Sequence, residues 1–354
     1  MNIVVDGRMI NHSGIGVYTN ELLTLLNDKS YSVVVLLSEN DASKFSFKNL
    51  QVETIEFGRY SWKNLLYLRK HIKNSDVYFC PFLSIPPVFS SVPVVTTVHD
   101  LCPVSERKVF GTRVAIAYWA IMLLQLVVSR QVVTISNFTR SEISKWFCSL
   151  FDDKVSVVSN GLSVKEQPNH TKSTYPVDSP YILTVGNIKP HKNIMNLART
   201  FLQSKWCTTH RLVIVGDHQG FRTKERDIMI DDSRIIFTGK ISDAELDQLY
   251  QHASLFVYPS FYEGFGLPLL EAMSYQLPIA CSSIPPFQEI AGDSVTYFNP
   301  HHLNSFWKNL KSFDSSNHYD EILNKYTWKA NLEKLLTIFK QSSSTGHQNL
   351  THEG

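Results

Sequence analysis

The sequence lacks the features that mark most secreted, zinc-binding and nucleic-acid-binding proteins. Its five cysteines are scattered, with no C-x-x-C pair and no cluster of cysteines and histidines. We therefore expect neither disulfides nor structural zinc, and a reducing compartment is favoured. The net charge of +2 is too small to predict nucleic acid as a partner. The chain begins with the strand-like segment Asn2–Asp6, so we expect no signal peptide.

The sequence also has no apolar run long enough for a membrane span. Its most apolar segment, Val114–Val128, contains Gln125 and lies between Arg113 and Arg130. A spanning helix needs about 20 apolar residues. The segment therefore predicts a buried core helix, and we expect a cytoplasmic protein without a transmembrane segment.

Short apolar segments with strand character alternate with helical segments along both halves of the chain. This alternation predicts an α/β fold with parallel sheets, and the length favours two domains. We predict two doubly wound, Rossmann-like domains that face a cleft, and a C-terminal helix that packs back on the first domain. The expected divisions are a first domain at 1–168, a linker at 169–180, a second domain at 181–325, a helix at 326–340 and a flexible tail at 341–354.

Two carboxylates lie on one predicted strand–loop–helix turn, EGFGLPLLE at Glu263–Glu271. Leu255–Tyr258 reads as a buried strand, Pro259–Gly266 as a loop and Leu267–Tyr275 as a helix. Such a loop directs backbone N–H groups and a helix N-terminus at one point, which suits an anion. Carboxylates beside that point suit the hydroxyls of a sugar or ribose, so the segment favours a nucleotide-sugar. The alternative is that both glutamates are ordinary surface charges.

A glycine-containing loop, Gly7–Gly16, follows the first predicted strand. Gly14 and Gly16 would let the backbone approach a ligand at the start of the next helix. The dinucleotide fingerprint is incomplete, because Thr19 holds the position of its third glycine. Glu39 could still imitate the ribose-binding acid of a dehydrogenase, so a nicotinamide-dependent enzyme is a minor alternative.

A histidine and an aspartate, His99 and Asp100, follow the predicted strand Pro93–Val98. This strand-end position favours a functional histidine over a structural one. Asp100 would either orient the histidine ring or cap the next turn.

Two lysines lie in the loop Gly186–Asn193, after the first strand of the second domain. Lys192 precedes a helix start, where its charge opposes the positive end of the helix dipole, and this conflict suggests a bound anion. Lys189 reads as a solvated charge. No D-x-D pair occurs, so we expect no bound metal, and a diphosphate would be neutralised by lysine, backbone amides and helix ends.

These motifs resemble the retaining glycosyltransferases of family 4, which have the two-domain GT-B fold. The resemblance runs over nearly the whole chain. Within the family, the motifs look most like those of bacterial O-antigen and capsule mannosyl-, rhamnosyl- and related transferases. The residues that carry it are Gly14 and Gly16, His99–Leu101, Ser136–Arg140, Asn160 and Gly161, Gly186 with Lys192 and Asn193, and the two glutamates of EGFGLPLLE.

The resemblance implies donor-binding roles in the second domain. Glu263 would contact hydroxyls of the donor sugar, and Glu271 would hold the ribose. Lys192 would neutralise the diphosphate leaving group. Backbone N–H groups would come from Gly264, Phe265, Gly266 and Leu267.

In the first domain, the resemblance implies that His99 touches the transferred sugar near its reacting carbon, and that Gly14 and Gly16 lie near the diphosphate. One position departs from the family. Asn187 is counted among the donor-binding residues, but many members have arginine there. Lys189 and Lys240 are the candidates to replace this missing phosphate cation.

The resemblance implies retention of anomeric configuration by front-face displacement, with no cofactor because the nucleotide-sugar is itself a substrate. The expected partners are a nucleoside-diphosphate sugar, with GDP-mannose favoured, and a lipid-linked saccharide acceptor. A non-catalytic GT-B scaffold of a polysaccharide assembly complex remains an alternative.

A basic segment with helical apolar spacing, Trp62–Lys73, lies in the first domain. Its lysines and arginine are typical of an ordinary solvated helix face. The sharper hypothesis is that this face rests on an anionic membrane surface, where a lipid-linked acceptor would lie.

Overall fold

The computed structural model describes residues 1–27, 31–45, 47–162, 177, 179–217, 230–313 and 319–348. The chain divides into two compact units, one of Met1–Ser163 with Tyr326–Gly354 and one of Val164–Lys325. Most of the predicted linker and residues 349–354 of the predicted tail lie outside the described residues.

The described part of the first unit contains a seven-stranded parallel sheet in the order β3-β2-β1-β4-β5-β6-β7. Apolar, β-branched residues fill its central strands, which are buried on both faces. The strands are β1 Asn2–Asp6, β2 Ser32–Leu37, β3 Gln51–Thr54, β4 Val77–Cys80, β5 Val94–Val98, β6 Gln131–Thr134 and β7 Val155–Val157.

Helices connect these strands, as the alternation of segments predicted. They are α1 Ser13–Asn27, α2 Glu39–Ala42, α3 Lys63–Leu66, α4 Leu68–Ile72, α5 Cys102–Ser105, α6 Arg107–Phe110, α7 Thr112–Val128 and α8 Asn137–Trp146. The prediction that α7 is a buried core helix was wrong along one side, because Val114, Ile116 and Val127 are exposed. In the part of the chain that the structure describes, no helix combines the length and apolar character needed to span a membrane.

The second unit contains a six-stranded parallel sheet in the order β10-β9-β8-β11-β12-β13 within its described residues. Its strands are β8 Tyr181–Val185, β9 Arg211–Val215, β10 Ile235–Gly239, β11 Leu255–Tyr258, β12 Ile279–Ser282 and β13 Thr296–Phe298. Its helices are α9 Ile194–Leu202, α10 Asp243–His252, α11 Leu267–Ser274, α12 Pro285–Ala291, α13 Leu303–Asn309 and α14 Asp320–Lys325. Since β8 and β11 are neighbours, the loops that leave their carboxyl ends start side by side.

The last helix, α15 Trp328–Gln348, belongs to the first unit and contacts α1 and β4. The Phe339 ring lies 5.1 Å from that of Phe79, and the Trp328 ring 5.4 Å from that of Tyr18. The prediction that a C-terminal helix packs back on the first domain is therefore confirmed. The helix continues to Gln348 instead of ending near Lys340.

Candidate functional site

In the second unit, the loops after β8 and β11 bring Lys192 and Glu263 into direct contact. Lys192 Nζ lies 2.6 Å from Glu263 Oε1 and 2.7 Å from Oε2, so the ammonium bridges both carboxylate oxygens. The side chains are 19% and 11% exposed. The anion that balances Lys192 beside the helix start is thus, in this structure, the carboxylate of Glu263.

The surroundings of Glu263 keep its carboxyl ionised. Burial raises the pKa of this group, but the Lys192 ammonium and hydrogen bonds from Lys192 and Ser260 outweigh burial, so the pKa lies below its usual value. The Ser260 hydroxyl donates to Oε1 at 2.7 Å. An ionised carboxylate accepts hydrogen bonds and gives no proton at neutral pH, which suits contact with hydroxyl groups.

Asn193 fixes the position of Lys192 relative to the second loop. It adopts a left-handed conformation, with φ of 58°, between the 3₁₀ turn Pro190–Lys192 and α9. Its amide Nδ2 donates to the carbonyl oxygens of Pro259, at 3.1 Å, and Pro300, at 2.9 Å. Asparagine tolerates this backbone conformation better than most residues do, and its side chain ties the loops together.

Glu271 lies in α11, and its carboxylate is held by a buried tyrosine. The Tyr250 hydroxyl donates to Oε2 of Glu271 at 2.8 Å. The Tyr250 ring stacks on that of Tyr275, with centroids 5.5 Å apart. Burial, and then the Glu271 carboxylate, raise the pKa of Tyr250 well above its usual value, so the phenol remains a donor.

The loop before α11 depends on a glycine. Gly266 has φ of 144° and immediately precedes the helix, and a Cβ there would lie 3.0 Å from the Phe287 ring. Gly264, Phe265 and Gly266 are buried, and Leu267 is half-buried as the first residue of α11. The structure therefore places the four predicted backbone donors at the N-terminal end of the helix that carries Glu271.

The candidate cations around Asn187 are spread over different loops. The Asn187 side-chain oxygen accepts a hydrogen bond from the backbone N–H of Asp217 at 3.2 Å, so this amide joins the loops after β8 and β9. Lys189 immediately precedes the 3₁₀ turn that contains Lys192, whereas Lys240 is exposed just after β10. Replacement of the missing arginine by Lys189 or Lys240 stays a prediction.

In the first unit, His99 is held as a neutral ring at the end of β5. Its Nε2 lies 2.8 Å from the carbonyl oxygen of Pro81, so Nε2 carries the proton and donates. The ring meets that of Tyr18 edge-on, with centroids 5.0 Å apart. Burial lowers the pKa of His99 to about 4, against the opposing effect of the Pro81 carbonyl. With Nε2 donating to Pro81, the neutral ring has Nδ1 as a hydrogen-bond acceptor.

The backbone around His99 is fixed by neighbouring caps. Ser136 caps α8, and Thr139 in its first turn donates a hydrogen bond from Oγ1 to the His99 carbonyl oxygen at 3.1 Å. Asp100 Oδ1 accepts from the backbone N–H of Cys102 at 2.8 Å. This bond agrees with the interpretation of Asp100 as a cap for the following turn.

The early glycines lie in the first turn of α1 and not in a loop, because the helix begins at Ser13. Gly14 is exposed, and a side chain there would meet open space. Gly16 is buried, and a Cβ would lie 2.4 Å from the Ile10 carbonyl oxygen. The close approach that requires Gly16 is therefore one of backbone to backbone within this unit. Contact of Gly14 and Gly16 with a diphosphate stays a prediction.

The sequence analysis missed the hydroxyl donors of both glutamates and a buried ion pair in the first unit. Asp6 ends β1, and Arg8 donates to both of its carboxylate oxygens, at 2.9 and 2.6 Å. A charged residue at the end of a buried strand, with an opposite charge two residues later, was the signal for that pair. Ser260 and Tyr250 gave no comparable signal. Among the residues that the structure describes, no group of three or more histidine, cysteine, aspartate or glutamate side chains could hold a metal ion.

Comparison with protein families identifies the chain. The model for glycosyl transferases group 1 matches residues 165–346. The chain belongs to this family. A second model, Glycosyltransferase Family 4, matches residues 12–166, so the predicted resemblance to family 4 is confirmed.

This family member is also similar to curated bacterial transferases. It is 30% identical over 231 residues to the O-antigen chain mannosyltransferase RfbU of Salmonella typhimurium, in a match covering 62% of this chain and 60% of the relative. It is 30% identical over 230 residues to O-antigen chain mannosyltransferase B of Escherichia coli, covering 60% of this chain and 58% of the relative. The matches thus span less than two thirds of these relatives.

Solved structures share the fold of this family member at low identity. A glycosyltransferase from Rickettsia africae has a TM-score of 0.73 and 16% identity, over 96% of this chain and 98% of that one. A sucrose-phosphate synthase from Thermosynechococcus elongatus has a TM-score of 0.74 and 16% identity, over 98% of this chain and all of that one. The likeness confirms the prediction of two Rossmann-like units of the GT-B class.

Proposed function

We propose that this chain is a retaining glycosyltransferase that moves a hexose from a nucleoside-diphosphate sugar to a saccharide hydroxyl. GDP-mannose is the favoured donor, and a lipid-linked O-antigen or capsule intermediate is the favoured acceptor. The observation that carries the proposal is the contact of Lys192 with Glu263, one loop away from the helix that holds Glu271. The mannosyltransferase names of the relatives support the choice of sugar.

The donor would bind by separating the Lys192–Glu263 ion pair. Without a donor, the Lys192 ammonium is shared between the two oxygens of Glu263. An arriving diphosphate offers Lys192 a stronger negative partner, because it carries more charge than a carboxylate. The oxygens of Glu263 that Lys192 leaves are then free to accept from sugar hydroxyls, while Ser260 continues to hold Oε1.

The transfer step needs no protein nucleophile in this scheme. The bond between the anomeric carbon and the diphosphate oxygen breaks, and a bond to the acceptor oxygen forms on the same face. The acceptor proton passes to the departing phosphate oxygen. Lys192 stabilises the charge that develops on the leaving group, and neutral His99 contacts the sugar. No metal or cofactor takes part in the proposal.

Two alternative functions, a non-catalytic scaffold and a nicotinamide-dependent enzyme, are less well supported than glycosyl transfer. A non-catalytic scaffold would have no need of the directed contacts around Glu263 and Glu271, and a nicotinamide-dependent enzyme would need the glycine that Thr19 replaces. The favoured acceptor places the protein at the inner face of the cell membrane.

Thermal-shift titration with GDP, UDP, dTDP and NAD tests the proposed function. We expect GDP to raise the melting temperature of the wild type, and the same rise in Lys192→Met to require at least ten times more GDP. Stabilisation by UDP or dTDP alone would change the donor base. Stabilisation by NAD alone, or by none of the four, would contradict the proposal.

A further inference from the structure

The first unit carries a cluster of large exposed apolar side chains around α3, which we call the aromatic patch. Its members are Tyr60, Trp62, Leu66, Tyr67 and Phe89. Trp62 is 61% exposed and Phe89 is 89% exposed. The Trp62 and Tyr67 rings pack edge-on, with centroids 6.0 Å apart. Single exposed apolar residues are ordinary, but a cluster that includes three kinds of aromatic ring indicates a contact surface.

The most exposed member of the patch is held outward by its backbone. Phe89 has φ of 56°, a left-handed conformation that a bulky residue rarely adopts. Its turn is fixed against α3, because the backbone N–H of Val88 donates to the Leu65 carbonyl oxygen at 3.2 Å. Strained backbone of this kind persists where the surrounding structure enforces it, and it is common at binding sites. Here it projects an apolar ring into solvent from a turn that is bonded to α3.

Positive charge predominates around the aromatic patch, although Asp100 lies close enough to Tyr60 to add to the effect of burial in raising the pKa of its hydroxyl. The segment between Glu56 and Asp100 contains one acidic residue, Asp76, whose carboxylate accepts a hydrogen bond from the backbone N–H of Asn2 at 2.7 Å. Five lysines and arginines lie in the same segment: Arg59, Lys63, Arg69, Lys70 and Lys73. The excess of cations in this segment favours a partner that is both apolar and negatively charged.

The cations lie against the aromatic rings of the patch. The Arg59 guanidinium lies 4.5 Å from the Tyr60 ring centroid, and Lys70 Nζ lies 5.4 Å from that of Tyr67. Such side chains cover apolar surface with their stems and keep their charges at its edge. The arrangement of aromatic rings with adjacent cations is that of proteins that bind the headgroup region of a bilayer.

We propose that the aromatic patch docks on an anionic lipid surface, with Phe89 and Trp62 entering the headgroup region and the five cations facing lipid phosphates. The proposal goes beyond the transfer reaction and does not depend on it. It extends the hypothesis for the segment Trp62–Lys73 to the turn that carries Phe89, 16 residues after Lys73 in the sequence. Each contribution has a separate test, since the apolar and charged residues can be changed independently.

Vesicle co-sedimentation tests the docking surface. Vesicles of phosphatidylcholine alone are compared with vesicles containing equal parts of phosphatidylcholine and phosphatidylglycerol. We expect the wild type to sediment with the anionic vesicles at least ten times more strongly than with the neutral ones. The Trp62→Ser/Phe89→Ser variant and the Arg69→Gln/Lys70→Gln/Lys73→Gln variant should each lose at least tenfold.

Matched controls change exposed residues elsewhere. Leu150→Ser removes an exposed apolar side chain from the same unit, and Lys205→Gln/Lys308→Gln/Lys311→Gln removes three exposed charges from the other. Both controls should sediment like the wild type, and all variants should keep the wild-type melting temperature because the changed residues are exposed. Wild-type binding by both patch variants, equal losses in the controls, or binding of a single-stranded oligonucleotide in place of the vesicles would overturn the proposal.

Discussion

The two units each contain an ion pair at the end of a central strand, but the pairs are built differently. In the first unit, Arg8 donates to both carboxylate oxygens of Asp6. It also donates to the Phe57 carbonyl oxygen and to Asn64 Oδ1, each at 2.9 Å. The two side chains are 5% and 0% exposed. In the second unit, the Lys192–Glu263 pair is more exposed and its cation is a flexible ammonium.

The difference separates a structural ion pair from an exchangeable one. The planar guanidinium of Arg8 makes four hydrogen bonds to protein oxygens, and removing one partner would leave an unpaired buried charge. A lysine that shares one carboxylate can exchange it for another anion at little cost. The Asp6–Arg8 pair therefore stabilises the first unit, whereas we propose that the Lys192–Glu263 pair opens when the second unit binds its ligand.

The largest expected effect is on stability, from Arg8→Met. It leaves the Asp6 carboxylate buried without its cation, so we expect a loss of about 3–5 kcal/mol in the free energy of unfolding. The matched change, Lys192→Met, should cost less, because Glu263 is partly exposed and keeps its hydrogen bond from Ser260. Urea denaturation followed by circular dichroism measures both. Equal losses in the two variants would remove the distinction between the pairs.

The next largest effect is on transfer, from Glu263→Ala. Loss of the carboxylate removes the acceptor for sugar hydroxyls, and we expect at least a hundredfold fall in turnover, about 2.7 kcal/mol at 1.36 kcal/mol per tenfold change. Release of GDP from GDP-mannose in the presence of a membrane extract gives the rate. Asp6→Asn serves as a comparison, since it should affect unfolding more than turnover measured well below its melting temperature.

A smaller kinetic effect, from Glu271→Ala, distinguishes the proposed roles of the two glutamates. Glu271→Ala should raise the KM for the donor about tenfold with a lesser change in kcat, because a ribose contact is made equally in the ground and transition states. Tyr250→Phe removes only the hydroxyl that holds Glu271, so it should shift KM in the same direction by a smaller factor. Similar mild effects of Glu263→Ala and Glu271→Ala would show that the roles are misassigned.

The smallest effect is on histidine titration. Burial lowers the pKa of both His99 and His191 to about 4, and at His191 the Lys192 ammonium adds to burial. Lys192→Met should therefore raise the pKa of His191 and leave that of His99 unchanged, as followed by NMR of labelled histidine.

The same two histidines set a pH dependence of stability. Both folded-state pKa values lie below the value of 6.5 in the unfolded chain, so the unfolded state binds more protons between these limits. Stability should fall as the pH drops from about 6.5 toward 4, and His99→Gln should reduce the slope. An unchanged slope would contradict the assignment of His99 as a neutral ring whose pKa is lowered.

Much of the fold follows from periodicity, because buried parallel strands are continuous apolar runs such as Val94–Val98. The edge strand β3 escaped prediction, since its sequence QVET is mostly polar and exposed. The helix α7 is apolar all round, so its sequence could not show which side faces solvent. The pairing of β3 and the buried side of α7 both depend on the elements that pack against them.

The candidate site was also predicted only in part, because the sequence does not specify which side chains meet in the fold. The positions of Lys192 and Glu263 in loops after strands, and of Glu271 in the following helix, could be predicted from the sequence, and the structure places the first two in contact. The contacts of Ser260 and Tyr250 depend on side-chain directions that residue order does not specify. The start of α1 at Ser13 was not predicted either. Gly14 and Gly16 are residues typical of loops, but they lie in the first turn of this helix.

Isothermal titration of GDP into the wild type and into Lys192→Met tests most directly whether the Lys192–Glu263 pair is the exchangeable anion site. We expect saturable binding by the wild type, and binding at least tenfold weaker by the variant. Equal affinity of the two proteins for GDP would show that Lys192 belongs to the structure of the second unit and not to its ligand site.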